Sequence, residues 1–127
     1  MRDKKRKLMI FGGDFDTSDG TCVRDYLHIE DITHAHSLAL RALGRGIKNE
    51  VFNLGSGRGH SNLEILRTAE RVVGRKIPYT IGPRRPGDPS RLVANISKAK
   101  KVLGWVPKRG LEEIVRSAWN WEQKISL

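Results

Sequence analysis

Length, composition and charge describe a single globular chain and exclude several classes of protein. With 127 residues, of which 38% are hydrophobic and 30% charged, the sequence suits one folded domain rather than a disordered or membrane-spanning chain. The single cysteine, Cys22, excludes an internal disulfide, so we expect a cytoplasmic location. Only a few apolar residues follow the basic run at residues 1–7, so we expect no signal peptide. The formal net charge of +10 indicates an anionic partner.

Strand-like segments recur along the chain and are separated by turn signals. The apolar run at residues 8–11 leads into a turn-rich stretch at residues 12–20. Three further patterns predict strands at residues 22–29, 50–54 and 77–81. Three prolines and a glycine make residues 83–89 irregular, because they interrupt both helical and sheet hydrogen bonding.

Amphipathic segments with helical spacing predict four helices. Glu30 or Asp31 is expected to cap the first. Ser61 is expected to begin the second and to form a capping box with Glu64. Ser97 is expected to cap the third, and the fourth is expected to begin near Gly110. Helices that alternate with short strands predict an α/β fold.

Nucleic acid is the first anionic partner that a charge of +10 brings into question. Part of the positive excess lies in the basic run at residues 1–7, and the rest is spread over the chain. The sequence lacks the series of stacking aromatic side chains that a single-strand binder needs. We therefore favour an anionic small molecule and keep nucleic-acid binding as the less favoured alternative.

Two stretches rich in glycine or proline are candidates for binding phosphate. Residues 55–59 (GSGRG) precede a predicted helix, but their glycine spacing departs from the dinucleotide fingerprint, and we interpret them as a strand-to-helix turn. Residues 84–89 (RRPGDP) place two arginines beside Asp88. Guanidinium groups match phosphate oxygens, and a carboxylate accepts ribose hydroxyls. The alternative is a surface turn with a local ion pair.

The other polar residues form no catalytic pattern. Arg24 lies on a predicted strand, either in an exposed pair with Asp25 or as a second cation for a diphosphate. The four histidines show no metal-ligand spacing, so we expect no metal site. No Tyr-x-x-x-Lys occurs, and the residues alone indicate no general acid–base machinery.

Three segments in fixed order resemble UDP-glucose 4-epimerases, which are extended short-chain dehydrogenases that use NAD. The stretch LMIFGGDFDT at residues 8–17 is similar to one that these enzymes carry before an Arg-Asp-Tyr strand. VRDYLHIED at residues 23–31 resembles that strand and the helix start after it, and RRPGDP resembles their late substrate loop. The resemblance covers the chain and implies the carboxy-terminal, UDP-sugar-binding part of such an enzyme.

The resemblance implies nucleotide-binding roles for five residues. Met9 and Phe11 match positions whose backbone holds the uracil. Arg24 and Arg85 match the arginines that grip the diphosphate. Asp88 matches the carboxylate on the uridine ribose.

Two further residues are implied at the substrate. Asn62 matches a position near the nucleotide that is usually apolar in the family. Leu92 falls four residues after Asp88, where family members gate the sugar pocket. A bulky residue at that position indicates UDP-glucose and UDP-galactose rather than their N-acetyl forms.

The resemblance also implies what other residues must supply. Family members begin with a Rossmann domain that binds NAD and carries the Tyr-x-x-x-Lys, and this sequence contains neither feature. We expect NAD in the full-length family enzyme, no cofactor on this chain alone and no independent catalysis. The alternatives are a stand-alone UDP-sugar-binding module and a piece of another nucleotide-sugar dehydratase or decarboxylase.

The organisation of the family implies one further surface. We treat residues 1–127 as a single domain in which residues 29–56 pack on the NAD-binding domain. Separated from that domain, this segment should expose an apolar face and a sheet edge. We expect self-association, an altered fold of this region, or a partner chain that supplies the NAD-binding half.

Overall fold

The computed structural model describes residues 7–125, so all but the last residue of the basic run at residues 1–7 lies outside it. Within this range, short strands alternate with helices in the α/β arrangement that the sequence predicts. The strands are β1 (Leu8–Phe11), β2 (Val23–Asp25), β3 (Gly59–Ser61), β4 (Tyr79–Gly82) and β5 (Arg91–Leu92). The helices are α1 (Ile29–Gly44), α2 (Asn62–Val73), α3 (Ser97–Leu103) and α4 (Leu111–Lys124).

The strands form two small sheets. β1 pairs in parallel with β4, with Leu8 opposite Tyr79. The other sheet has the order β3-β2-β5, and β2 runs antiparallel to β3 and parallel to β5. In this second sheet Arg24 lies between His60 and Leu92.

Two apolar clusters form the core. Ile10, Leu66 and Ile77 join β1 to α2 and to the segment before β4. The second cluster joins α1 to α3 and is centred on Trp105, which is fully buried. The Trp105 indole N–H donates to the Asp31 carbonyl oxygen at 2.9 Å, so the ring is both packed and hydrogen-bonded.

Asp19 fixes the loop between β1 and β2 to the start of α2. Its carboxylate accepts hydrogen bonds from the Thr21 N–H at 3.0 Å, from the Thr21 hydroxyl at 2.7 Å and from the Ser61 hydroxyl. Partial burial opposes ionisation of Asp19, but these hydrogen bonds outweigh it and lower the pKa of the carboxyl group. The loop that leads into β2 is therefore held by a charged group.

The helix caps differ from the predicted ones at two helices. α1 is capped by His28, whose Nδ1 accepts from the Glu30 N–H at 3.1 Å, so neither Glu30 nor Asp31 is the cap. Asp31 is instead buried and accepts the backbone N–H groups of Lys108 and Arg109. This long-range use of Asp31 has no local sequence signal.

The caps of the other helices follow the sequence more closely. The Ser61 hydroxyl accepts from the Glu64 N–H at 3.0 Å, which confirms half of the capping box. The Glu64 carboxylate pairs with His60 Nδ1 at 2.7 Å and so leaves the other half unmade. Ser97 begins α3 but does not cap it, because Asn95 accepts the Ser97 N–H at 3.0 Å. α4 begins after Gly110, as predicted.

Two predicted strands are shorter than expected, and one does not form within the described chain. The strand expected at residues 22–29 is limited to Val23–Asp25, because the chain turns into α1 at His28. The strand expected at residues 77–81 begins only at Tyr79. Residues 50–54 form no strand within the described chain, since no other described strand pairs with them. β3 and β5, by contrast, have no counterpart among the predicted strands.

Among the helices described, none has the length and apolar character needed to cross a membrane.

Candidate functional site

One open cavity gathers most of the residues that the sequence singled out. Its volume is about 470 Å³, and it lies against β1, β2 and the first half of α2. Six of the seven candidate residues line it, namely Met9, Phe11, Arg24, Asn62, Arg85 and Asp88. Leu92 is not part of the wall; it lies opposite Arg24 in the β2–β5 register and is 62% exposed.

Among the described strands, only β4 pairs with β1, and Met9 and Phe11 of β1 line the cavity. The N–H groups of Leu8 and Gly12 donate to the carbonyls of Pro78 and Gly82, each at 2.9 Å, which places both groups on the β4 side. Successive residues of a strand direct their backbone groups to opposite edges. The N–H and C=O groups of Met9 and Phe11 therefore point away from β4. A flat ligand with a donor and an acceptor on one edge would find matching partners there.

Two guanidinium groups and one carboxylate set the charge of the cavity. Arg24 donates to the Val23 carbonyl at 2.7 Å and forms an ion pair with Asp88. The Arg85 guanidinium lies over the Phe11 ring, 4.0 Å from its centroid, and forms no ion pair within residues 7–125. Because Asp88 compensates only one arginine, the three groups carry one net positive charge. This arrangement suits an anion that also carries hydroxyl groups.

A small polar network closes the α2 side of the cavity. The Tyr26 hydroxyl donates to Asn62 Oδ1 at 3.2 Å, and Asn62 Nδ2 donates to the Cys22 thiol at 3.2 Å. Burial, followed by the neighbouring Cys22, raises the pKa of Tyr26, so the phenol stays protonated and able to donate. Sequence reasoning missed Tyr26 and Cys22. The available signal was spacing, since both lie two residues from Arg24.

The predicted pairing of Arg24 with Asp25 does not occur. The Asp25 carboxylate accepts the N–H groups of Ser56 at 2.7 Å, Gly57 at 3.2 Å and Ala94 at 3.1 Å. It therefore ties β2 to the turn before β3 and to the segment after β5. Asp25 thus supports the strand that carries Arg24, while its own carboxylate is fully used elsewhere.

Asp25 also limits what the glycine-rich turn at residues 55–59 can bind. Two of the turn's N–H groups, at Ser56 and Gly57, already bind a carboxylate. A Cβ atom at Gly55 would collide with the same carboxylate. The pyrophosphate of a dinucleotide would meet a negative charge here, so this turn does not fit NAD. The stretch is a turn, as interpreted, but its flanking elements differ from the prediction: no strand forms at residues 50–54 of the described chain, and the turn leads into β3 before α2 begins.

Comparison with known proteins assigns the family. The family profile described as GDP-mannose 4,6 dehydratase matches residues 9–118. The chain belongs to this family. It is 52% identical over 118 residues to the UDP-glucose 4-epimerase of Lactobacillus helveticus, a match that covers 92% of this chain and 36% of that protein. The chain thus spans about a third of the length of the curated relatives it matches.

Solved structures of this family superpose closely. A UDP-glucose 4-epimerase from Stenotrophomonas maltophila, with bound NAD and formylated UDP-arabinopyranose, has a TM-score of 0.90 and 40% identity, and the match covers 94% of this chain and 36% of that one. The enzyme from Bifidobacterium longum, in complex with NAD+ and UDP, has a TM-score of 0.85 and 39% identity, with 94% and 35% covered. The resemblance to the carboxy-terminal part of UDP-glucose 4-epimerases is confirmed.

Proposed function

We propose that this chain binds UDP-sugars in the 470 Å³ cavity and forms the substrate-binding part of a UDP-glucose 4-epimerase. The complete enzyme would interconvert UDP-glucose and UDP-galactose. The observation that carries this proposal is the convergence of an open strand edge, two arginines and a carboxylate on one cavity. Although the family profile takes its name from a dehydratase, identities near 50% to several epimerases favour epimerisation over dehydration.

Each part of a UDP-sugar has a proposed partner in the cavity. The uracil ring would bind the backbone groups of Met9 and Phe11, since its edge offers one N–H between carbonyl oxygens. The diphosphate would bind Arg85 and Arg24, and the ribose hydroxyls would donate to Asp88. A ligand that brings phosphates to Arg24 also leaves Asp88 free to accept those hydroxyls. The Arg24–Asp88 ion pair is therefore compatible with both roles.

We propose that residues outside this chain hold NAD, the hydride carrier of the complete enzyme. The glycine-rich turn at residues 55–59 does not fit a dinucleotide, and the sequence has no Tyr-x-x-x-Lys. The chain's own contribution is then to bind the nucleotide and orient the sugar. We also propose a cytoplasmic location, in keeping with a single buried thiol at Cys22.

The surface formed by residues 29–56 is our proposed contact with an NAD-binding domain. Ile29, Leu40 and Leu43 are large apolar residues on one stripe of α1, and all are exposed. Val51 is 79% exposed in a strand-like segment that pairs with no described strand. Exposed apolar residues with such spacing are typical of an interface. Without a partner, we expect this surface to promote self-association.

A calorimetric titration with UDP-glucose tests the proposal directly. UDP-glucose should bind at least about tenfold more tightly than UMP, because one charge-assisted hydrogen bond to the second phosphate contributes about 1.5–3 kcal/mol. A short DNA duplex serves as the second ligand. Salt-sensitive binding of DNA with no binding of UDP-glucose would refute the proposal and favour the nucleic-acid alternative.

A further inference from the structure

The loop that carries Arg85 and Asp88 has little backbone structure of its own. Pro83, Pro86 and Pro89 have no N–H to donate. Outside regular strands, the only backbone hydrogen bond donated from residues 83–89 within the described chain runs from Asp88 to the Arg85 carbonyl, at 3.2 Å. Residues 83–87 are exposed. Side-chain contacts must therefore fix where Arg85 stands.

Arg84 makes the contacts that this loop otherwise lacks. Its Nε donates to the Asp14 carboxylate at 2.6 Å, and its Nη2 donates to the Asp14 carbonyl oxygen. The same guanidinium lies over the Phe15 ring, 4.3 Å from the centroid. Phe15 is only 5% exposed, so Arg84 is stacked on a ring anchored in the protein. A planar group can make these contacts together, which an ammonium cannot.

The two consecutive arginines thus have different surroundings. Arg85 stacks on Phe11 and lines the cavity, whereas Arg84 turns to the β1–β2 loop and is not part of the cavity wall. Gly12 has a φ of 82°, and a Cβ atom there would collide with Phe15 and crowd the Arg84 side chain. The backbone is therefore shaped to admit this stack.

We infer that Arg84 is a positioning residue for nucleotide binding, which fixes the loop at residues 83–89 through Asp14 and Phe15 so that Arg85 stands over Phe11. This inference rests on the proposed function of the cavity. Arg84 acts through Arg85 and does not touch the ligand. Its effect must accordingly disappear when Arg85 is removed.

A double-mutant cycle tests this dependence. UDP affinity is measured by calorimetry for the wild-type chain, Arg84→Ala, Arg85→Ala and the double variant. Arg84→Ala should weaken UDP binding roughly threefold to tenfold, as expected for coupled neighbours, yet add less than about twofold in the Arg85→Ala background. Asp88 is held separately by its ion pair with Arg24, so uridine, which has no phosphate, should bind both single variants equally well in NMR chemical-shift titrations.

Two variants separate position from charge. Arg84→Lys keeps the positive charge but not the planar guanidinium group, so it should bind UDP as weakly as Arg84→Ala. Asp14→Ala should reproduce the Arg84→Ala effect from the other side of the contact. Arg75→Ala removes an exposed arginine in the turn after α2 and should leave UDP affinity unchanged. Melting temperatures and amide spectra identify any variant that fails to fold, in which case Arg84→Lys and Asp14→Ala carry the test.

These measurements distinguish failure of the positioning role of Arg84 from failure of the proposed UDP binding. If the wild-type chain does not bind UDP, the proposed function fails. If it binds UDP and neither Arg84 variant weakens binding, the positioning role is overturned. Full restoration by Arg84→Lys would assign a purely electrostatic effect, and additive losses in the double variant would assign a direct contact with the ligand. Either result also overturns the inference.

Discussion

The open edge of β1 allows a test that removes a single backbone donor. Proline at position 9 deletes the Met9 N–H, which points away from β4. The ladder to β4 survives, because its donors are at the alternate positions Leu8, Ile10 and Gly12. Met9→Ala is the matched control, since it shortens the same side chain and keeps the N–H. Ile10→Pro is the opposite control and should unfold the strand.

The size of the effect follows from what the missing N–H would bind. A hydrogen bond to a neutral uracil carbonyl contributes about 0.5–1.5 kcal/mol net, and leaving that carbonyl unpaired in a partly closed cavity adds to the cost. Met9→Pro should therefore weaken UDP binding roughly threefold to tenfold relative to Met9→Ala. Inorganic pyrophosphate has no base, so its affinity should be the same for both variants.

Calorimetry with UDP and pyrophosphate measures the two affinities, and thermal unfolding confirms that β1 is intact. Equal UDP affinities for Met9→Pro and Met9→Ala, with equal melting temperatures, would refute the assignment of the Met9 N–H to uracil. A parallel loss of pyrophosphate binding would instead show that proline had disturbed the whole cavity, and the assignment of the Met9 N–H to uracil would again be refuted.

Four other outcomes follow from the described contacts. Arg85→Ala should weaken UDP binding at least about tenfold, measured by calorimetry, because no carboxylate of residues 7–125 pairs with this arginine, which lies over Phe11 in the cavity wall. His28→Ala should lower the free energy of unfolding by at least about 1 kcal/mol in denaturant titrations, because the α1 cap and the Ser117 contact of this buried ring are both lost, with the exposed His34→Ala as an unaffected control. Asp19 has a lowered pKa in the folded chain, so its stabilising effect is present above the unfolded value of 3.8 and is lost as pH falls through the folded value. Acid unfolding should therefore be steeper for the wild type than for Asp19→Asn. Leu40→Glu should reduce self-association in sedimentation experiments without changing UDP affinity, since Leu40 is 69% exposed and is not part of the cavity wall.

Local signals in the sequence identified the elements whose causes are local. Ser61 caps the helix that follows it, and Gly110 precedes the last helix, because capping depends on residues within one turn. The α/β alternation followed from hydrophobic spacing for the same reason. The ends of the strands could not be predicted from local signals, since a strand ends where its partner ends, and the partners here are remote in sequence.

The candidate site was predictable in a different way. The residue types alone raised Arg24, Arg85 and Asp88 as candidates, and family resemblance added Met9, Phe11 and Asn62. Only the resemblance placed them in one site, since Arg24 and Asp88 are 64 positions apart. No pattern within a helix or strand connects residues at that distance. The same limit explains why the roles of Asp25 and His28 were missed. Asp25 is held by residues 31 to 69 positions away, and the His28 ring contacts Ser117 at 2.9 Å, 89 positions away.

The cavity and the proposed docking surface draw on different parts of the chain. No residue of the cavity wall belongs to residues 29–56, and the described contacts of the wall are made within the chain itself. Residues 50–54, in contrast, have a strand-like sequence and no strand partner among the described residues. A strand without a partner lacks the backbone hydrogen bonds of a sheet. The cavity, in contrast, keeps its ion pairs and hydrogen bonds, because both partners of each lie in this chain. Nucleotide binding should therefore survive in this chain even where the strand does not form.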